Sequence, residues 1–416
     1  MQLVEQHIIT KSHPFWATLD NACFKSKNLY NATLYELRQH FFATDETLPN
    51  QVLHKKMQTN PDFRALPSKV SQWVVMQVIA DWWNIWKALV AYKKNPEKFT
   101  GRPNLPHYKH KQKGRNLLIY TIQAIGKPAL KKGLVEPSQL PIQIPTKQTN
   151  VNQVRIVPHH SHYTVEVVYT VSDEKPSPHT DRIASIDIGL NNLATVTTNQ
   201  PDLCPLLVNG RPLKAFNHRY NKQKAKMQSR LPKGQYTSHQ INQLTFRRNQ
   251  RVYDYLHRSS YEIVEYLKAN QIGVLVIGKN DGWKQEIDLG HVTNQNFVQI
   301  PHAIFIKILT YKAELIGIQV ILTEESYTSK CSFLDDEPVK KHKTYKGKRI
   351  HRGLFQACDG RVINADVNGA MNIMRKVFPN VRADGIGASV VMPVRVTPFQ
   401  PKKKKLCHTV KQVACT

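Results

Sequence analysis

The apolar positions of this chain fall into two regimes that meet near residue 180. Residues 1–14 alternate as a strand would, and residues 15–92 turn helical. Within 68–92, Trp73, Val74, Val78, Trp82, Trp83, Trp86 and Leu89 recur every three or four positions, which predicts a helix with one buried face. The same stripe could stack bases, and burial is the plainer reading. Residues 93–114 form a loop broken by Pro and Gly. From 115 to 180, LLIYTI, LPIQIPT, NQVRIV and HYTVEVVYTV are short β-branched and aromatic runs between turn residues, which predict a small β-barrel or sandwich. The polar, Pro-containing stretch 173–180 reads as a linker.

Beyond it, strand and helix patterns alternate. Strands are expected at 182–188, in LATVTT, at 272–278 and at 317–323, with helices at 212–230, 238–269, 301–315 and 366–377. This order predicts an α/β domain with a mixed sheet covered by helices. The expected organisation is a barrel from 1–14 and 110–180, a helical lobe with a basic loop at 15–109, and an α/β domain at 181–330 and 359–380. A Lys-rich insertion occupies 331–358, and 381–416 reads as a disordered basic tail.

Charge narrows the partner. The 416 residues carry 59 Lys and Arg against 30 Asp and Glu, a formal charge of +29. A polyanion would relieve the self-repulsion of such a chain. The basic residues are also segregated, for there is no acid from 203 to 253, from 98 to 135 or from 340 to 358. Ordinary surfaces mix their signs, so these tracts read as phosphate-contact faces. The expected nucleic-acid contacts are Arg102, Tyr108, Lys109 and Lys111 in the loop, and Arg211, Lys222, Lys226, Arg247, Arg248 and Arg251 in the two basic helices. Six scattered cysteines show no disulfide framework, and neither a signal sequence nor a membrane span is visible. A cytoplasmic protein is expected.

Two carboxylates then stand out. Asp187 ends the apolar strand of IASIDIGLNNLAT, where burying a charge is costly unless a cation or donor meets it. Asp366 opens the helix of NADVNGAMNIM, whose Gly369 permits close approach to a sheet. An Asp at a helix start is commonly a cap. Together, however, two carboxylates at the ends of core elements suit Mg2+, and a two-ion site would serve phosphodiester hydrolysis.

These segments resemble a family. Asp-Ile-Gly-Leu with Leu-Ala-Thr, then Tyr-Thr-Ser-Lys-Cys-Ser, then Asp-x-Asn-Gly-Ala-x-Asn-Ile follow the order seen in TnpB proteins. FTGRPNLPHYKHK and NQRVYDYLHRSSYEIV look like further family segments, so the likeness spans most of 95–380. TnpB proteins are transposon-encoded and related to type V CRISPR effectors and Fanzor proteins. The resemblance implies an RNA-guided, Mg2+-dependent DNA endonuclease with a RuvC/RNase H-like domain. The guide RNA would come from the transposon end, the target would be double-stranded DNA, and the N-terminal barrel would be wedge-like. It also implies Asp187 and Asp366 as catalytic metal ligands.

The chain departs from the family twice. The usual second ligand is a Glu at the end of the middle strand, where Gly278 stands here. The next strand runs into Glu324 and Glu325, and the Fanzor-like arrangement implies Glu325 as the replacement, with Glu324 the alternative. If neither serves, the protein binds DNA under RNA guidance without cutting it. A strand-transferring transposase acting without RNA is a third reading. The usual zinc ribbon is also degenerate. Cys331 lacks a partner at Leu334, Cys358 stands alone, and His342 and His351 are poorly spaced to complete four ligands, so structural Zn2+ is not expected.

Overall fold

The structure, a computed structural model, describes residues 1–172, 180–280, 299–381 and 393–398. The chain divides into two compact units, Met1–Ser172 and Asp173–Thr416. All but the last residue of the 173–180 linker, and most of the 381–416 tail, lie outside the described residues.

In the first unit, β1 (Gln2–Thr10) precedes four helices: α1 (Trp16–Thr44), α2 (Asn50–Gln58), α3 (Pro61–Arg64) and α4 (Ser68–Lys94). Then come β2 (Leu118–Thr121), α5 (Lys127–Lys131), β3 (Leu134–Val135), β4 (Ile144–Pro145), β5 (Val151–Pro158) and β6 (His162–Thr170). Leu19, Cys23, Leu34 and Leu37 of α1 share one core with Val74, Val78 and Trp82 of α4. Tyr30 adds a hydrogen bond to Asp81 at 2.8 Å. Truncating Trp82 to Ala would cost about 3–5 kcal/mol. The aromatic stripe is only partly core, since Trp83 is 46% exposed.

The expected barrel is not found. The four long strands make an antiparallel sheet in the order β1-β6-β5-β2, while β3 and β4 pair separately. Among the described residues, no ladder joins the β1 and β2 edges. The sheet instead buries apolar surface against α1 and α4, so closure is not needed to cover it.

The second unit holds β7 (Ile183–Asp187), β8 (Asn192–Thr198), β9 (Leu206–Asn209), α6 (Arg211–Gln228), α7 (His239–Ala269), β10 (Val274–Gly278), α8 (His302–Leu315) and β11 (Gln319–Thr323). After them come β12 (Lys348–His351), β13 (Leu354–Gln356), β14 (Val362–Asn364), α9 (Ala365–Val377) and β15 (Val394–Val396). The main sheet is mixed, in the order β11-β10-β7-β8-β9-β15. Strands β7, β10 and β11 run parallel, and β8 is antiparallel to β7 and β9.

Helices cover both faces, which explains the continuous apolar runs of β7 and β10. Ala184, Ile186, Leu275 and Ile277 pack with Tyr255, Leu256, Phe305 and Leu309 of α7 and α8. Ile183, Val274 and Val276 pack on the other side with Ile373 and Met374 of α9. Residues two apart share a face, so Ser185 lies on the α9 side. Its hydroxyl donates to the Ala370 carbonyl at 2.6 Å.

Within the Lys-rich insertion β12 pairs with β13, and β13 pairs with β14, which leads directly into α9. One expectation needs correction here. Within the basic tail, Val394–Val396 pairs in parallel with β9 and extends the main sheet. Among the described residues, no helix is long and apolar enough to cross a membrane.

Candidate active site

Three carboxylates reach the α9 side of the sheet, each brought there by a different local device. Asp187 ends β7 two residues after Ser185, so alternation turns it toward α9. There Gly369 lets the helix backbone come down onto it. A Cβ on Gly369 would stand 2.8 Å from Asp187 Oδ2.

Asp366 lies in the first turn of α9, but another residue caps the helix. Asn364 Oδ1 accepts from the Asp366 and Val367 backbone N–H groups at 3.0 and 3.2 Å. The Asp366 carboxylate is thereby released from capping. It accepts from Asn192 Nδ2 at 2.8 Å and lies 3.7 Å from Arg349 of β12.

Glu325 arrives from β11. Thr323 is in register with Gly278 of β10, and Glu325 follows two residues later. Its side chain folds over Gly278, where a Cβ would stand 2.7 Å from Glu325 Cγ and closer still to Oε1. Asn280 accepts from the Glu325 backbone N–H at 2.9 Å, and its own amide lies 3.4 Å from Oε2. Glu325 Oε1 is buried with no hydrogen-bond partner among the described residues.

Glu324, the alternative ligand, is not brought to this group. Its side chain is 66% exposed, receives the Ser326 hydroxyl and lies 3.4 Å from Lys376. Successive residues of an extended chain face opposite ways, and only Glu325 has the required parity.

The electrostatics match this geometry. Burial raises the Asp187 carboxyl well above the ordinary carboxylate range; Glu325 and Asp366 repel its charge and add to the rise, and Arg349 opposes it. Burial also pushes Glu325 up to about 7, against the pull of Lys376. A cation would relieve both groups. Among the described residues, however, no three His, Cys, Asp or Glu side chains stand at metal-ligating spacing. The fit to a hard divalent cation rests on the all-oxygen donor set and the unpartnered Glu325 Oε1.

The basic residues sort less evenly. Arg211, Lys222, Lys226, Arg247 and Arg251 are exposed on α6 and α7. Arg248 is not available with them. Its guanidinium is turned inward, donating to Asn217 at 2.8 Å, the Gln299 carbonyl at 2.7 Å and Asn249 at 2.9 Å. In the first unit Arg102, Tyr108 and Lys111 are exposed, with the Arg38 guanidinium 5.1 Å from the Tyr108 ring. Lys109 is half-buried over the Tyr30 ring at 4.4 Å.

In the insertion, the buried Cys331 thiol lies 3.5 Å from the Pro338 and Lys340 carbonyls. The exposed Cys358 thiol donates to Asp335 at 2.8 Å. His342 bonds the Pro338 carbonyl at 2.8 Å, and His351 is exposed on β12.

Sequence reasoning passed over Asn192, Asn280, Arg349 and Lys376. Asn280 carried a usable signal, as a polar amide just past a buried strand. Arg349 carried none, being one of many basic residues in a Lys-rich segment.

Comparison with known proteins bears out the TnpB resemblance. Residues 166–284 match the OrfB_IS605 family, described as "Probable transposase", and residues 302–373 match the Cas12f1-like TNB domain. A CRISPR-associated endodeoxyribonuclease, Cas12f2 of a Micrarchaeota archaeon, is 27% identical over 205 residues. That match takes in 47% of this chain and 37% of the relative, so it spans little more than a third of the relative's length. Among solved structures, a Cas12f1 in complex with sgRNA and target DNA is similar in fold. Its TM-score is 0.52 at 14% identity, over 86% of this chain and 81% of that one.

Proposed function

We propose that this chain, a relative of the TnpB-type transposases and of the Cas12f nucleases, is an RNA-guided, Mg2+-dependent DNA endonuclease of the RuvC/RNase H-like kind. The observation that carries this reading is the grouping of Asp187, Glu325 and Asp366 on the α9 side of a mixed sheet. The relative's endodeoxyribonuclease activity and the RNA and DNA partners of the structural neighbour point the same way.

In this reading Asp187, Glu325 and Asp366 would be the residues to hold divalent cations, and such cations would supply water activation and charge neutralisation at the phosphodiester. The protein's own groups do the rest. Asn192 and the Asn364 cap fix where Asp366 points. Gly369 keeps the floor of the site open for Asp187. Arg349, partly exposed beside Asp366, offers a guanidinium to an incoming phosphate. A bound cation would favour the ionised forms of Asp187 and Glu325 that burial disfavours. The exposed Lys and Arg of α6 and α7 take up backbone phosphates of a guide RNA or its DNA target.

The test is to purify the protein from cells carrying its own locus, sequence the bound RNA and assay a matching plasmid. Mg2+-dependent, guide-dependent cleavage is expected. Guided binding without cleavage would favour the second reading, a binding protein that has lost its nuclease, which Gly278 at the usual ligand position motivates.

A further inference from the structure

The β10–β11 ladder stops one step before the carboxylate it must present. Its last backbone bond runs from the Lys279 N–H to the Thr323 carbonyl at 2.8 Å. Glu325 lies beyond that bond, at a sheet edge with no strand on its far side among the described residues. Something other than pairing must hold it.

Asn280 stands at this point. Its side-chain oxygen receives the Glu325 N–H at 2.9 Å, taking the place of the missing ladder bond. Its side-chain nitrogen lies 3.4 Å from Glu325 Oε2, while Oε1 stays unpartnered. An amide is suited to this position because it accepts and donates at once, whereas a carboxylate would only accept. An Asn that merely ended a strand would bond its own neighbours. This one bonds a residue 45 positions away. On the other side of the same turn, Lys376 of α9 donates to the carbonyls of Glu324 at 2.8 Å and Ser326 at 3.3 Å. The turn is therefore strapped from both directions.

We infer that Asn280 is a positioning residue: it clasps Glu325 by main chain and side chain and leaves Oε1 without a partner among the described residues, available to a cation. The inference rests on the metal-site reading above and gives it a specific dependence. With the usual ligand position occupied by Gly278, the neighbouring strand still contributes, through the residue that holds the carboxylate.

The experiment is Mn2+ titration by calorimetry into the full-length protein, for wild type, Glu325→Ala, Asn280→Ala and Asn280→Ser, each with a thermal melt. Hydrogen-bonding partners of metal ligands are worth about 10–100-fold in affinity. Asn280→Ala should weaken Mn2+ binding by at least about tenfold while melting within a few degrees of wild type. The Mg2+ concentration for half-maximal cleavage should rise in parallel, and saturating Mg2+ should recover most of the rate. Should Asn280→Ala not fold, Asn280→Ser is judged by the same criteria. Binding by a folded Asn280 variant within twofold of wild type overturns the inference while leaving the site itself standing. No Mn2+ binding by the wild type overturns the metal site, and this inference with it.

Discussion

The Glu325 side chain occupies the space that a side chain on Gly278 would need. A Cβ there would meet Glu325 Cγ at 2.7 Å and Ile373 Cδ1 at 2.6 Å. A side chain at position 278 and the Glu325 side chain thus compete for one space. Gly278→Ala should push the Glu325 carboxylate aside and lower cleavage at least tenfold. Gly278→Glu in a Glu325→Ala background returns a carboxylate from the other strand, and Ile373 can yield at its flexible end. That double variant should cut faster than Glu325→Ala alone in a Mg2+-dependent plasmid assay. Wild-type cleavage by Gly278→Ala would contradict this competition.

Asp187→Ala and Asp366→Ala should each abolish cleavage while guide and target binding persist, read by plasmid assay and filter binding. A remaining rate above a tenth of wild type would exclude either residue as a ligand. Asp187→Asn adds a second readout. It removes a charge that burial and two neighbouring carboxylates disfavour, so the metal-free variant should melt above wild type at pH 8.

Arg248 separates a structural arginine from its exposed neighbours. Replacing Arg211, Lys222, Lys226, Arg247 and Arg251 with Gln should weaken RNA binding and flatten its dependence on salt. The log–log slope should fall by about 0.7–0.9 for each phosphate that is no longer neutralised. Arg248→Gln should instead lower the melting temperature, because it leaves Asn217 and the Gln299 carbonyl without their donor. An unchanged melting temperature with a flattened slope would return Arg248 to the phosphate-binding face.

Asp20 provides a pH test in the first unit. It receives two bonds from Arg115, at 2.8 and 2.7 Å, and the Tyr163 hydroxyl at 2.6 Å, joining α1 to the sheet. The Arg115 bonds hold its carboxyl below the ordinary range, with help from Tyr163 and against burial. A depressed folded value means the stabilisation is present above the unfolded value near 3.8 and is lost as pH falls through the folded one. Asp20→Asn should therefore cost about 1–2 kcal/mol at pH 7, allowing for solvent screening, and less at an acid pH below that at which the folded carboxyl titrates. Denaturant unfolding at the two pH values measures the difference, and an equal cost at both would remove the ion pair from the account.

How much of this could be read beforehand follows from burial. Strands β7 and β10 were legible because helices cover both faces and the runs are apolar throughout. Asp187 was legible because a carboxylate is conspicuous at the end of such a run, and Asp366 because it lies in the first turn of a helix many of whose positions are apolar or small. The choice between Glu324 and Glu325 was not, because it depends on register, which pairing with β10 sets. Strand β12 was hidden because all four of its residues are exposed and most are polar. The open N-terminal sheet was misjudged because apolar strand patterns do not say whether two edges meet.

Helix α9 also carries a consequence for distance. Asn372 bonds the Thr328 and Cys331 carbonyls, Asn368 bonds Cys331 and Phe333, and Arg375 bonds Phe333. The segment leaving Glu325 is thereby bolted to the same helix that carries Asp366 in its first turn. The gap between those two carboxylates is measured along one rigid rod rather than across the whole insertion. The insertion's outer hairpin can then vary in length and sequence without changing the gauge of the site beneath it.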